Sequence, residues 1–381
     1  MRTVALDLGK SAIDWCEVRD GRVVGRGRVR NIAGLQEIVG PTSGPAVVGF
    51  EACREARHVH DVMKSWGQTV RIFDTTRVRR LAGIGEHGRK NDRIDAEKLA
   101  HALERGTAAY AHILSDESRR LRELQEVHRA LVDARKQLII HARGILRGRG
   151  INFPSCEPER FARYLREAVL DCSVKALVEP LLAPLEAIEP ELARVDLQLH
   201  ELCSNQSDPV IERLASVPGV NLMTASAFIS AVDDARRFKN ASQVASYLGL
   251  CPCENSTGGR RKLGSITKQG NAHAREMLVQ AAWCVMRSRD TSDRLVRWAH
   301  RISQRRGRMR AAIAVARRLS RVLWSLWIHG SFYDPSGAEG DELVVAQAQA
   351  KKRSALKLGR LKRRHERTLT STSDQQGAAM R

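Results

Sequence analysis

Apolar residues follow two different spacings along this chain, and the change comes near residue 110. Before that point, short β-branched runs alternate with patches of helical period, which is typical of an α/β domain. The predicted strands cover residues 3–8, 13–18, 23–28, 46–50 and 69–73, and the predicted helices cover 32–38, 54–66 and 92–103. Asp20 and Gly21 predict a tight hairpin between the second and third strands. We therefore expect a mixed sheet, with antiparallel strands first and a parallel crossover later.

Two long amphipathic helices are predicted after residue 110. One covers 115–148, and the other covers 177–202, where Pro180, Pro184 and Pro190 interrupt the apolar pattern. The turn-rich residues between them predict an antiparallel helical hairpin. A buried stripe shows that a helix packs against something but not against what. An oligomerisation arm and ordinary packing within one subunit therefore both stay open.

The chain divides into four predicted regions. Residues 1–110 form the α/β region, 111–205 the helical hairpin or coiled coil, and 206–330 a mostly helical, basic region. Residues 331–381 are interpreted as a basic, flexible tail, with a helix that orders on RNA or DNA as the alternative.

The charge of the chain points to a polyanionic partner. Lysine and arginine number 64 and aspartate and glutamate 43, a formal net charge of +21. Nucleic acid is the simplest partner for such a charge. Tyrosine, tryptophan and phenylalanine number only 4, 6 and 7, too few for a protein that binds single strands mainly by stacking their bases.

The apolar runs and the cysteines both predict a cytoplasmic protein. No run of about 18 apolar residues occurs, and Asp7 interrupts the first apolar stretch, so we expect no membrane partner. The eight cysteines lack paired spacing, which favours reduced thiols. Cys251 and Cys253 form the only close pair, and a zinc site would need two further ligands.

Four carboxylates together indicate a metal site, although each of them alone is weak evidence for one. Asp7 and Glu51 each end an apolar run, although acidic residues are costly to bury unless they are paired or bound to metal. Asp92 and Asp95 lie three residues apart, on one face of a helix. Each residue alone is also explained as a cap, turn or ion-pair residue. If the first and fourth strands are adjacent and the helix packs across their ends, the four carboxylates converge and repel one another until about two divalent cations bind, and oxygen ligands favour Mg²⁺ or Mn²⁺.

Two glycine-containing segments of the basic region predict contacts with phosphate. Residues 214–220 predict a helix-hairpin-helix whose Gly219 turn offers backbone N–H groups, with a plain helical turn as an equal alternative. Residues 247–271 mix glycines with cations and hydroxyls, so that the backbone can approach a phosphate closely. The phosphate-contacting residues predicted there are Gly258, Gly259, Arg260, Arg261, Lys262 and Lys268. Ser256 is a candidate nucleophile for a DNA phosphodiester, with a turn-capping serine as the alternative.

Arginines are dense from Arg287 to Arg321, with apolar residues between them at helical spacing. The pattern predicts helices with one buried face and one basic face. This density exceeds what solubility requires. We therefore expect phosphate contacts, and binding that weakens steeply with salt.

The carboxylate motifs resemble those of a known family. Val4-Ala5-Leu6-Asp7-Leu8-Gly9-Lys10, Phe50-Glu51-Ala52 and Lys90-Asn91-Asp92-Arg93-Ile94-Asp95-Ala96 resemble the DEDD motif of insertion-sequence transposases whose N-terminal domain is similar to the Holliday-junction resolvase RuvC. Residues 216–286 resemble the C-terminal transposase domain of that family. The resemblance covers nearly the whole chain before the tail.

This resemblance implies both a fold and a reaction. It implies an RNase H-like fold for residues 1–110, with Mg²⁺ held by Asp7, Glu51, Asp92 and Asp95. It assigns the serine of the Gly-Gly loop, here Ser256, as the nucleophile that forms a phosphoserine bond to DNA, activated through a composite active site. It further implies a homodimer or homotetramer, and a structured bridge RNA, encoded by the element, that joins donor and target DNA. Two alternatives stay open: a metal-dependent nuclease of the junction-resolvase type, and a non-catalytic nucleic-acid-binding protein.

Overall fold

The computed structural model describes the backbone of residues 1–74, 92–204, 209–254, 263–337 and 341–379. Side chains are described over the same residues except 92–95, 341–346 and 371–379. Backbone contacts divide the chain into two compact units, residues 1–114 and 115–381. The finer division into four regions stays a prediction.

The first unit is built on the predicted mixed sheet of five strands. They are β1 (Arg2–Leu8), β2 (Ile13–Arg19), β3 (Arg22–Val29), β4 (Ala46–Glu51) and β5 (Thr69–Phe73), in the spatial order β3-β2-β1-β4-β5. β1 pairs antiparallel with β2 and parallel with β4. The two residues between β2 and β3, Asp20 and Gly21, have φ values of 49° and 75°. Both lie in the left-handed region that a two-residue hairpin turn requires.

Helices cover both faces of this sheet. A 3₁₀ turn (Ile32–Leu35), α1 (Gln36–Val39) and α2 (Ala56–Ser65) lie on one face, and α3 (Asp92–Glu104) lies on the other. Successive side chains along each strand therefore lie on opposite faces of the sheet. Leu6 and Phe50 pack with α2, whereas Ala5 and Val47 pack with α3. The α/β fold predicted from the sequence is confirmed.

Gly49 of β4 permits the close approach of α3 to the sheet. A Cβ at this position would lie 2.7 Å from Leu103 Cδ2 and 2.8 Å from Phe73 Cζ. Gly49→Ala should therefore destabilise the first unit by about 1–3 kcal/mol, the usual cost of overpacking a core. Gly144→Ala is the matched control, because its Cβ would meet no atom within 4 Å and an alanine favours the surrounding helix by up to about 1 kcal/mol. Hydrogen exchange measured by mass spectrometry follows each unit separately, and equal protection in wild type and Gly49→Ala would contradict this account of the packing.

The second unit begins with the predicted helical hairpin. Its helices are α4 (Asp116–Gly148), α5 (Pro158–Glu167) and α6 (Cys172–Ser204). α4 and α6 run antiparallel: Arg135 Nη1 lies 3.0 Å from Glu189 Oε1, and His128 Nε2 lies 3.4 Å from Asp196 Oδ1. This packing lies within one subunit, and an additional role in joining subunits stays a prediction.

Two features of this hairpin differ from the sequence interpretation. α6 continues through Pro180, Pro184 and Pro190 instead of being interrupted. Pro180 and Pro184 are exposed, so water can reach the carbonyl groups that lose their helical partners, while Leu182 and Leu185 stay buried. The short helix α5 was not predicted, and it is held by the buried Phe161 and Leu165.

The rest of the second unit is mostly helical. The elements are α7 (Val210–Ala215), α8 (Leu222–Val232), a 3₁₀ turn (Ala235–Arg237), α9 (Ala241–Tyr247), β6 (Pro252–Glu254), β7 (Leu263–Ile266), α10 (Ala272–Arg287), α11 (Arg294–Arg306) and α12 (Arg308–His329). α8 lies at the centre of the core, where ten of its eleven residues are buried. The predicted mostly helical character of this region is confirmed.

A helix stands in place of the expected flexible tail. α13 (Asp341–Ala379) packs against α6 and α7. Ser354 and Leu358 are only 1% and 6% exposed, and Ser354 Oγ donates to the carbonyl oxygen of Glu212 at 2.6 Å. The helical stripe Ala350, Ser354 and Leu358 explains the difference, because its small and polar members are inconspicuous among the many charges of this segment.

Candidate active site

Two of the predicted metal-binding carboxylates lie side by side on the sheet. In the parallel pair of β1 and β4, Leu6 is level with Phe50, and the next residue on each strand is Asp7 or Glu51. Both are half-buried. Strand alternation places both on the face that α3 covers, the face of Ala5 and Val47. The structure thus brings Asp7 and Glu51 together at the carboxyl end of the sheet.

The backbone of the other two carboxylates belongs to the helix on that same face. Asp92 and Asp95 belong to the first turn of α3, and Ala96 and Leu99, which follow them, are buried against the sheet. Their side chains lie outside the described atoms. Among the described side chains no group of three or more potential metal ligands occurs. The convergence of all four carboxylates therefore stays a prediction.

A further carboxylate, which the sequence analysis did not select, stands next to Asp7. Asp14 of β2 pairs directly with Asp7 across the antiparallel ladder and is only 2% exposed. Its Oδ2 lies 3.6 Å from Arg28 Nε on the neighbouring strand β3. Glu51, Asp7, Asp14 and Arg28 thus form a row across four strands. An acidic residue inside a predicted strand was the available signal, since such residues are depleted there.

Asp7 is flanked by a carboxylate on each side in this row. Directly opposed like charges destabilise neighbouring strands. The Arg28 guanidinium offsets part of the negative charge of Asp14. A cation bound between Asp7 and Glu51 would reduce the repulsion between carboxylates in this row, and carboxylate oxygens are the donors that Mg²⁺ and Mn²⁺ prefer. The donor set therefore fits a divalent ion.

The predicted helix-hairpin-helix is formed by α7, a turn and α8. Gly219 in the turn has φ of 77°, and a Cβ there would lie 2.5 Å from the Ala281 carbonyl oxygen of α10. Lys357 of α13 donates from Nζ to the carbonyl oxygens of Ala215 and Val220, and burial lowers its pKa. The hairpin is therefore held by two other helices. The phosphate contact predicted for Gly219 stays a prediction.

The segment that contains Ser256 is carried by a two-stranded ribbon. β6 ends at Glu254 and pairs antiparallel with β7, which begins at Leu263. Ser256, Gly258, Gly259, Arg260, Arg261 and Lys262 fall between the two strands, outside the described residues. Lys268, after β7, is exposed and donates its N–H to the Gly249 carbonyl oxygen at 3.2 Å. A Cβ on Gly249 would overlap the backbone of Gln269, so this close turn needs glycine.

A partly buried polar cluster of the second unit has a structural role. Asp196 on α6 lies 3.4 Å from His128 of α4 and 3.3 Å from His365 of α13. Burial lowers the pKa of His128 to about 4 and raises the pKa of Asp196 to about 6. Neutral imidazoles at pH 7 can each donate one hydrogen bond to the carboxyl group. The cluster therefore joins three helices.

The cysteines follow the sequence expectation of free thiols. All eight are unpaired with one another. Burial raises the pKa of Cys16 to about 11 and that of Cys203 to about 12, so both stay protonated near neutral pH and are poor nucleophiles. Of the described helices, none is both long and apolar enough to span a bilayer.

Comparison with known proteins identifies the family. The model of DEDD-type IS110 transposases matches residues 4–150, and that of the transposase IS116/IS110/IS902 family matches residues 211–297. A probable family 20 transposase of Pseudomonas aeruginosa is 31% identical over 76% of this chain and 86% of its own length. The transposases of insertion sequences IS1111A from Coxiella burnetii and IS1328 from Yersinia enterocolitica are each 25% identical, over 86% and 87% of this chain and 89% and 98% of their own lengths. The chain therefore belongs to the IS110 family of DEDD-type insertion-sequence transposases, and it is a DNA transposase.

Proposed function

We propose that this transposase cuts and rejoins DNA through Ser256, with Asp7, Glu51, Asp92 and Asp95 holding Mg²⁺ in the same reaction. The observation that carries the metal site is the register of β1 and β4, which sets Asp7 beside Glu51 with Asp14 next in the row. The serine rests on its family position, two residues beyond the end of β6.

The proposed cleavage exchanges one phosphate ester for another. Ser256 Oγ attacks the phosphorus, the bond from phosphorus to the 3′ oxygen breaks, and the serine proton is delivered to that oxygen. The products are a 5′-phosphoserine ester and a free 3′-hydroxyl. Attack by a different 3′-hydroxyl reverses the exchange and joins new ends without an external energy source.

The carboxylates of the first unit fit a divalent metal because every donor is an oxygen and Asp7 is flanked by like charge. When bound, Mg²⁺ or Mn²⁺ supplies positive charge that stabilises the attacked phosphate. The chain's own part is to hold the carboxylates in place. β1 and β4 do this through their ladder, and α3 does so through its contact with Ala5 and Val47.

A structured RNA and a multimeric assembly complete the proposal. The resemblance implies a bridge RNA that presents donor and target DNA to a homodimer or homotetramer. The net charge of +21 supports a large polyanionic partner.

Purification of the protein from cells that carry its complete element tests the RNA component. We expect one RNA species transcribed from the element to copurify and to survive a wash at about 0.5 M salt better than bulk RNA, because a specific complex keeps contacts that counterions do not displace. Sequencing of the bound RNA provides the measurement. Recovery of an unselected sample of cellular RNA, or of no RNA, would contradict guidance by RNA. It would not bear on the proposed cleavage of DNA by Ser256.

Hydrolysis by water, as in a junction resolvase, is the competing mechanism. It predicts cut ends without any protein attached, whereas the serine mechanism predicts a covalent adduct. Membership of the transposase family sets aside the non-catalytic alternative.

A further inference from the structure

A large open groove in the second unit lies between the β6–β7 ribbon and helix α12. Its volume is about 1570 Å³. Small-molecule sites have volumes of roughly 300–1,000 Å³, so this groove has room for a length of polymer. Leu263, Gly264 and Ser265 of β7 form part of one wall, and Arg310, Arg317 and Arg321 of α12 form part of the other.

Among the described residues that line this groove, every charged side chain is a cation. The set comprises Lys268, Arg306, Arg310, Arg317, Arg318 and Arg321. The wider sequence has the same bias, since residues 294–330 contain ten arginines and no aspartate or glutamate. Arginine pairs well with phosphate because its planar fork offers several donors. The charge of the groove is therefore complementary to a nucleic-acid backbone.

Apolar side chains lie among these cations. Met309 and Leu263 are 74% and 50% exposed, and Trp298 and Ile313 also line the groove. The Arg318 guanidinium carbon lies 4.5 Å from the centre of the Trp298 ring. A duplex hides the faces of its bases within the stack, whereas a single strand presents them to apolar and guanidinium surfaces. The mixture of cations and exposed apolar groups therefore fits a single strand better than a duplex.

The groove also lies at the ribbon that carries the Ser256 segment. β7 lines the groove, and residues 255–262 connect β6 to β7. We infer that this groove binds a single strand of DNA that adjoins the phosphate attacked by Ser256. The position of that phosphate rests on the proposed function, whereas the binding of the strand needs neither Ser256 nor metal.

Equilibrium binding of a labelled single-stranded DNA oligonucleotide tests the inference. The protein is the full chain with Ser256→Ala, in EDTA, so that neither cleavage nor metal contributes. Arg317→Gln with Arg321→Gln removes two groove cations. Arg301→Gln with Arg305→Gln is the matched control, because these exposed arginines of the neighbouring helix α11 do not line the groove.

We expect the groove variant to bind at least about tenfold more weakly at low salt than the control variant. The slope of log affinity against log salt should fall by about 1.4, since each phosphate contact on a single strand contributes about 0.7. Arg318→Lys keeps the charge, so its slope should stay unchanged while its affinity falls several-fold through the lost stacking. Thermal unfolding verifies that each variant is folded.

Three results would overturn the inference. One is an equal loss of affinity in the groove and control variants. Another is that the groove variant loses as much affinity for duplex DNA of the same sequence as it loses for the single strand, which would indicate a site for duplex DNA. The last is that the protein binds RNA of the matching sequence more tightly than the single-stranded DNA, and that the groove variant loses more affinity for this RNA than for the DNA. This result would assign the groove to RNA. If no Ser256–DNA adduct forms but the groove variant shows the expected loss of affinity for single-stranded DNA, the result would count against the proposed function and not against this inference.

Discussion

Replacing Ser256 by alanine is expected to lower strand cleavage by about a thousandfold or more and to abolish the covalent protein–DNA adduct. The reason is that the nucleophile itself is lost, and removing a catalytic nucleophile costs orders of magnitude in rate. The assay uses the complete protein with its nucleic-acid partners, Mg²⁺, and DNA that spans the end of the element, labelled on each side of the junction. Denaturing electrophoresis separates free ends from ends that carry protein.

The neighbouring hydroxyl supplies the matched control for this prediction. Thr257→Ala removes a hydroxyl from the same segment and should leave cleavage within a few-fold of the wild type. Cleavage by Ser256→Ala at a rate close to wild type, yielding 5′-phosphate ends free of protein, would show that water is the nucleophile. The family assignment would survive such a result, but the serine mechanism would not.

Asp7→Asn and Glu51→Gln should each reduce strand cleavage by at least about a hundredfold. Each change keeps the shape of the side chain but removes a negative charge from the predicted metal site. Even residues that only support a metal ligand cost about 10–100-fold when mutated, so a ligand itself should cost no less. The Mg²⁺ concentration needed for half-maximal cleavage should rise in both variants, and a magnesium titration measures it.

Two controls separate loss of metal binding from loss of fold. Glu37→Gln neutralises an exposed carboxylate of α1 and should leave the magnesium titration unchanged. DNA binding in EDTA should be preserved in Asp7→Asn and Glu51→Gln, because removing a negative charge does not weaken attraction to phosphate. Wild-type cleavage with an unaltered magnesium requirement in both variants would remove these residues from the reaction.

The sequence predicted the first unit well because its strands have strong local signals. The apolar runs that end at Asp7 and Glu51 are fully buried in the sheet, and the turn at Gly21 has a restrictive backbone geometry. These features depend on short stretches of chain. The place of Asp14 depends instead on the pairing of two strands, which no local pattern reveals.

The sequence predicted the second unit less completely because distant contacts decide its structure. α6 tolerates three prolines since its buried stripe continues past them, and α13 is held by a hydrogen bond from Ser354 to a carbonyl group 142 residues earlier. The groove is likewise a product of tertiary structure. The arginines of α12 were visible in the sequence, but their position opposite β7 was not.

Mapping the covalent adduct tests the central claim most directly. The wild-type reaction would be quenched in denaturant, the DNA digested to the nucleotide that remains attached, and the protein cleaved and analysed by tandem mass spectrometry. The account predicts a nucleotide joined through its 5′ phosphate to Ser256, in the peptide that contains Gly258 and Gly259. A nucleotide on any other residue, or complete cleavage of the DNA with no modified peptide, would contradict it.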